Sequence, residues 1–267
     1  MSLNIAVCMK PVPDPDKYNL LKIDPVTKRL VREGIPTIIN PSDKNALEAA
    51  LKIKEKLGGK VVVISMAPPN GVDKLKECLA MGADEAYLLS DMAFGGADTW
   101  ATSYTLMKGL EKIGQFDLVL AGHDSADGAT SHVPSQLGEW MDYTHIAGVQ
   151  NIEVEDATKA IVKRRIENGY IEYEVGFPAV IAVERGSNVP RFISAMGIIK
   201  AKNKPLVVYG LNDLDVDKEK LGLVGSPTQP GEMYTMELKR ESTQIEGEPE
   251  EIAVKTIEIL RKAGINL

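Results

Sequence analysis

Between Asp117 and Pro134 the chain reads DLVLAGHDSADGATSHVP, which brings two of its three histidines, His123 and His132, close to Asp124, Asp127, Ser125, Thr130 and Ser131. Three chemistries draw on such residues. Imidazoles and carboxylates ligate metals, but no HxxxH or HExxH spacing is present, and all the ligands would come from one loop. A Ser-His-Asp hydrolase sets its serine on a strained GxSxG turn, and the chain has no such pentapeptide. The third chemistry is anion binding. Gly122, Ala126, Gly128 and Ala129 allow a ligand close to the backbone, and Ser125, Thr130 and Ser131 offer hydroxyl donors. Neither GxGxxG nor GxxxxGK[ST] occurs, so a polar loop with turn-capping aspartates and solvated histidines is the competing reading.

The elements around this stretch must position it. LNIAVCM reads as a buried strand stopped by the prolines of KPVPDPD, and LLKIDPVTKRLVREG as a small hairpin around Asp24-Pro25. NPSDKNALEAALKIKEKLGG follows as a helix with Ser42 as N-cap and Gly58-Gly59 as its stop, and KVVVISM as the next strand. PPNGVDKLKECLAMGAD, EAYLLS and ADTWATSYTLMKGLEKIG continue as helix, strand and helix, the last starting near Asp98. This alternation predicts an α/β fold, a doubly wound, mainly parallel, Rossmann-like sheet. Beyond Thr144, HIAGVQNIEVED, AIVKRRIENG, YIEYEVGF and AVIAVERG follow with no room for helices, and are expected as antiparallel edge strands. NVPRFISAMGIIKAKNKPLVVYG adds a loop, a short helix and a last strand.

Open parallel sheets bind ligands beyond the C-terminal strand ends, where the strand order reverses. A 3-2-1-4-5 order makes neighbours of the loops after the first and fourth strands, CMKPVPD and AGHDSADGATSHVP. A helix starting near Ser131 would add free N–H groups and a partial positive charge. Residues 1–210 are expected to form the nucleotide-binding domain, and residues 211–267 an extended arm. The arm ends in an amphipathic helix with Ile252, Val254, Ile257, Ile259 and Leu260 on its stripe, which must dock on something.

The totals fit an ordinary globular protein, with 267 residues of which 44% are apolar and 26% charged. No 18-residue apolar span or signal-like N-terminus is found, so a cytoplasmic location without membrane insertion is expected. Cys8 and Cys78 form no CxxC pair, and a formal net charge of -7 argues against nucleic-acid binding.

With NPSDKNALEAAL, CLAMGADEAYLL and VKRRIENGYIEYEVGFPAVIA, the 117–134 stretch resembles the beta subunit of the electron-transfer flavoproteins, from residue 3 to about residue 208. Val162, Arg164, Glu167, Gly169, Pro178, Val180, Ile181 and Ala182 match the family's signature, and Asn168, Ile171 and Tyr173 depart from it. The resemblance implies a heterodimer with an alpha subunit that carries its own FAD, while the beta subunit holds AMP or a second FAD. It places nucleotide contacts on Cys8, on Asn40, Pro41, Ser42 and Asp43, and on Met66. The remaining contacts are Gly122, His123, Asp124, Ser125, Ala126, Asp127 and Gly128, then Ala129, Thr130, Ser131, His132, Val133 and Pro134.

No catalytic residue is implied, since the loop wraps phosphates. Pro190, Arg191, Phe192, Ile193, Ser194, Ala195 and Met196 correspond to the loop that anchors a flavin-dependent dehydrogenase, with Ala195 where acyl-CoA dehydrogenase partners receive a leucine. The small residues after Asp127 leave room for a diphosphate. The implied function is therefore FAD-based bifurcation, with NADH as transient donor and ferredoxin or flavodoxin as low-potential acceptor. The alternatives are a non-bifurcating subunit holding structural AMP, and a nucleotide-binding scaffold or sensor without redox chemistry.

Overall fold

The computed structural model describes residues 2–20, 22–23, 30–31, 35–229, 231, 242 and 244–265. The chain divides into two compact units, Met1–Gly231 and Glu232–Leu267.

The first unit opens with β1 (Leu3–Cys8), which leads into β2 (Pro11–Pro13), β3 (Lys22–Ile23), β4 (Leu30–Val31) and β5 (Thr37–Ile39). The proline run, expected as a plain loop, instead pairs with β5 in a two-stranded antiparallel ribbon. β3 and β4 pair as the expected hairpin, and its Asp24-Pro25 turn lies outside the described residues. Then α1 (Pro41–Leu57), β6 (Gly59–Met66), α2 (Val72–Met81), β7 (Glu85–Leu89), α3 (Thr99–Ile113) and β8 (Leu118–Gly122) alternate. After α4 (Val133–Met141) come β9 (Thr144–Val154), β10 (Lys159–Ile166), β11 (Gly169–Gly176) and β12 (Ala179–Val183). Finally, α5 (Ala195–Ala201) precedes β13 (Leu206–Tyr209).

Nine strands form one sheet in the order β11-β10-β9-β12-β8-β1-β6-β7-β13. The 3-2-1-4-5 order is there as β7-β6-β1-β8-β12, all parallel, so the ends of β1 and β8 lie side by side. β9, β10 and β11 form the antiparallel edge. β12 does not join them at the rim: it slots between β8 and β9, parallel to both. All five of its residues are buried. A strand apolar on both faces belongs inside a sheet covered on both sides, whereas the polar β10 and β11 tolerate the edge.

Side chains alternate between two cores. Leu118 and Leu120 join Leu47, Leu51, Leu75 and Leu79 of α1 and α2 on one face. Val119 and Ala121 join Tyr104, Met107, Leu110 and Leu137 of α3 and α4 on the other.

Helix boundaries follow local chemistry. α3 starts next to Asp98 as expected, and Asp98 caps it, its side chain accepting the Ala101 amide. α1 starts earlier than expected: Pro41 takes the first helical position after Asn40, so Ser42 lies inside the helix and is no cap. α4 begins at Val133 rather than near Ser131. The passage from Leu211, expected to begin the arm, is seated on the sheet domain. Leu214 and Leu221 are buried in the α3–α4 core, and Thr228 donates its amide and hydroxyl to Asp98.

The second unit contains α6 (Pro249–Lys262), on which Val254, Ile257 and Ile259 are exposed. No helix among the described residues is long and apolar enough to cross a membrane.

Gly58 and Gly59 separate backbone strain from steric clash. Both have positive φ, at 76° and 113°, but a Cβ on Gly58 meets nothing within 4 Å, while one on Gly59 would lie 2.1 Å from the Leu3 carbonyl oxygen. Gly58, at φ 76° and ψ -178°, sits in a region essentially reserved for glycine, so urea unfolding should show Gly58→Ala costing of order 1–3 kcal/mol from backbone strain alone. Gly59→Ala should cost clearly more, because β1 must also move away.

Candidate functional site

A carboxylate from α1 ties the two neighbouring strand ends together. Asp43 accepts the Lys10 amide at 2.7 Å through Oδ2 and the Gly122 amide at 3.0 Å through Oδ1. Gly122 is required by this approach, since a Cβ there would lie 2.3 Å from Asp43 Oδ1. Asn40 works beside it. Its Nδ2 donates to the Asp124 carbonyl at 2.7 Å, its Oδ1 accepts the Ala126 amide at 3.0 Å, and its own amide donates to the Lys10 carbonyl at 3.0 Å. Ser42 Oγ donates to the same Asp124 carbonyl at 2.7 Å. The start of α1 thus holds the loop after β8 from below.

The loop itself is bent into a cradle. The Gly128 and Ala129 amides fold back on the Ser125 carbonyl, and Ala129 and Ser131 adopt left-handed φ of 49° and 57°. Non-glycine residues in that region cost of order 1–3 kcal/mol, and such outliers cluster at ligand sites. Among the described residues, no acceptor takes the amides of Thr130 and Ser131. His132 Nδ1 contacts the Thr130 carbonyl. These amides, with the N-terminus of α4 next to them, make a site that favours an anion.

Above the cradle opens a cavity of about 1140 Å³. Of the residues expected at the site, Cys8, Asn40, Asp43, Met66, Gly122, His123, Asp124 and Ser125 line it, as do Gly128, Thr130, Ser131, His132, Val133 and Pro134. Pro41, Ser42, Ala126, Asp127 and Ala129 are not among its lining residues and shape it from behind. Burial and the neighbouring Asp43 push the Cys8 thiol up to about 12, so Cys8 is an inert thiol in the floor.

Two polar atoms in lining residues, His123 Nδ1 and Gln136 Oε1, are buried with no partner among the described residues. Such atoms are rare unless a ligand or water completes them. The donors, the small-residue cradle and these orphaned atoms together suit a phosphate-bearing ligand.

The opposite wall was not picked out from the sequence as part of the site. Leu89, Met92, Phe94 and Trp100, with Gly95 and Gly96 between them, line the cavity beyond β7, and Thr228 joins them there. Asp98, which burial alone would raise, is held below the usual carboxylate range by bonds from Thr228 and Ala101, and so fastens the strap at 226–228 to α3. The double glycine after the third strand was the available signal, since ligands gather at C-terminal strand ends.

The segment at 190–196 lies apart from the cavity, and none of its residues line it. Arg191 forks onto Glu48 and Glu55, with Nε 2.8 Å from Glu48 Oε2 and Nη1 2.6 Å from Glu55 Oε1. Ser194 caps α5 through the Gly197 amide, and Phe192 stands 96% exposed. The segment is a fixed frame that presents an aromatic ring to solvent.

Burial raises the Asp43 carboxyl to about 7, although the bonds from Lys10 and Gly122 pull the other way. A carboxyl raised on folding contributes stability that is complete below its unfolded value and is lost as pH climbs through the folded one. Urea unfolding should therefore show wild type losing stability between about pH 4 and pH 7 relative to Asp43→Asn. The variant should be less stable at acid pH, because its amide has one acceptor for two backbone donors.

The comparisons with known proteins identify the family. The family model described as "Electron transfer flavoprotein domain" matches residues 27–214. An electron transfer flavoprotein subunit beta of Thermoanaerobacterium thermosaccharolyticum is 47% identical over 98% of this chain and 100% of that protein. The caffeyl-CoA reductase-Etf complex subunit CarD of Acetobacterium woodii is 49% identical over 85% of this chain and 86% of its own length. Protein FixA of Azotobacter vinelandii is 38% identical over 87% of this chain and 84% of its own. With a crevice at the β1–β8 switch point and such likeness along nearly its whole length, the chain belongs to the electron transfer flavoprotein family, among its beta subunits.

Proposed function

We propose that this chain is the beta half of a heterodimer in which the sheet domain, with the passage from residue 211 to residue 231 seated on it, holds FAD and the rest of the expected arm, residues 232–267, reaches the alpha subunit. In this reading NADH delivers an electron pair, which is divided between a flavin-dependent dehydrogenase and a low-potential acceptor, ferredoxin or flavodoxin. The observation that carries it is the size and reach of the cavity. About 1140 Å³ extends from Thr130 and Ser131 to Pro68, Met92 and Trp100. Small-molecule sites commonly span roughly 300–1,000 Å³, so a dinucleotide fits the space better than AMP does.

FAD, when bound, supplies a ring system that takes up electrons in pairs and releases them singly. The chain's own residues do the rest. The amides and hydroxyls of Thr130 and Ser131 bind the diphosphate, and the small side chains of Gly128 and Ala129 leave its path open. Met66, Leu89, Phe94 and Trp100 keep water from the ring, which strengthens the electrostatic interactions inside. The frame at 190–196 offers Phe192 to the dehydrogenase. The name of the Acetobacterium relative, a subunit of a reductase-Etf complex, supports a reductase-type partner.

Co-producing the chain with its alpha partner and counting cofactors tests the reading. Two flavins per heterodimer, bleached by NADH, are expected. One flavin and one AMP without an NADH reaction would leave a one-flavin carrier, and a flavin-free homodimer would leave a scaffold.

Thr130→Ala or Ser131→Ala should weaken nucleotide binding by about 1.5–3 kcal/mol, roughly ten- to a hundredfold, in a direct titration. His123→Ala should cost less. Removal of residues 232–267 should abolish the heterodimer on gel filtration while the sheet domain stays folded.

A further inference from the structure

We propose that Lys10 is the cation that pairs with the phosphate groups of the bound nucleotide, a role that rests on the nucleotide reading above. Among the described residues lining the cavity, Lys10 is the single lysine or arginine, against the four aspartates Asp43, Asp91, Asp98 and Asp124. Among these side chains that ammonium is the one permanent cation able to attract an anionic ligand entering the cavity.

The backbone of Lys10 is fixed at both ends of its peptide unit. Its amide donates to Asp43 Oδ2 at 2.7 Å, and its carbonyl accepts the Asn40 amide at 3.0 Å. From that anchor at the end of β1, the side chain crosses to the loop after β8. Its Nζ lies 2.6 Å from Asp127 Oδ1 and 3.3 Å from Ser125 Oγ.

An ammonium carries three donors. Asp127 and Ser125 take two of them and set the direction of the group. Asp127, whose side chain is only 11% exposed and is not among the lining residues, stands behind the ammonium, while Lys10, 47% exposed, faces the cavity. The ammonium also stands beside the cradle: a Cβ on Gly128 would lie 3.9 Å from Nζ. The third donor is left for a ligand in the cavity that Lys10, Gly128, Thr130 and Ser131 line together, where a phosphate oxygen can accept it. The absent side chain at Gly128 keeps that volume open.

The sequence marks this residue only as the lysine that follows the first strand. Its role depends on β1 and β8 being neighbours.

The test is a titration of the full-length chain, freed of bound nucleotide, with ADP and with adenosine, for wild type, K10Q and K10R. Wild type should prefer ADP to adenosine, and raised ionic strength should weaken ADP binding. K10Q should lower ADP affinity roughly ten- to a hundredfold, the usual loss for a hydrogen bond to a charged group. Its adenosine affinity should not change, and its ADP binding should depend less on salt. K10R, which keeps the charge, should recover most of the ADP affinity.

If K10Q binds ADP as wild type does while wild type still prefers ADP, the role of Lys10 is overturned and the nucleotide site stands. If K10Q loses ADP and adenosine equally, Lys10 supports the fold rather than the phosphates, and the proposal is wrong. If wild type shows no preference for ADP, the phosphate cradle fails and the proposal falls with it.

Discussion

Asp43 accepts one amide from the end of β1 and another from the end of β8, and the crevice between those strands depends on this pair of bonds. Parallel neighbours separate naturally beyond their last ladder bond, because each chain turns off to its own helix. A carboxylate with two oxygens can hold both at once, and its position on the first turn of α1 adds the rigidity of a 17-residue helix. The arrangement is costly to bury, as the raised Asp43 carboxyl indicates, and the bonds offset part of that cost. Asn40 and Ser42 extend the same support under the loop.

α1 does this on two sides. Its polar residues Asn40, Ser42, Asp43, Asn45 and Glu48 are all buried. The first three hold the cradle. Asn45 accepts the Gly186 amide and donates to the Asn188 carbonyl, and Glu48 takes the Arg191 guanidinium. One helix therefore fixes both the floor of the cavity and the exposed frame that carries Phe192. A buried polar face on a helix is expensive unless every group finds a partner, and here the partners are the two loops that matter for binding.

The electrostatics follow a division of labour. The chain is acidic overall, at a formal net charge of -7, and the cavity is lined by aspartates, yet the cradle favours anions. Asp43 is committed to backbone amides, and Asp91 and Asp98 are tied to the Leu211 and Thr228 amides. Backbone dipoles and one ammonium supply the positive field, which acts only at short range. Attraction is thus confined to the cradle, while the far wall sets Leu89, Met92, Phe94 and Trp100 beside aspartates whose oxygens are already bonded.

Much of this protein was legible in its sequence because it depends on local pattern. Apolar runs and helical periodicity placed the strands and helices, Asp98 marked the start of α3, and the small and hydroxyl residues from Gly122 to Pro134 announced a cradle. Other features were decided only by tertiary contacts. AVIAV looked like one more edge strand, and its burial on both faces drew it between β8 and β9. Ser42 looked like a helix cap, and the neighbouring loop claimed its hydroxyl. Between Ser90 and Trp100 only the double glycine hinted at cavity wall, the strap at Thr228 gave no motif, and nothing singled out Lys10 within the loop after the first strand. The bonds that define the site join positions 79 and 117 residues apart, Asp43 with Gly122 and Lys10 with Asp127. No local periodicity records such a pairing, because it arises only when a parallel sheet brings the ends of distant strands to the same edge.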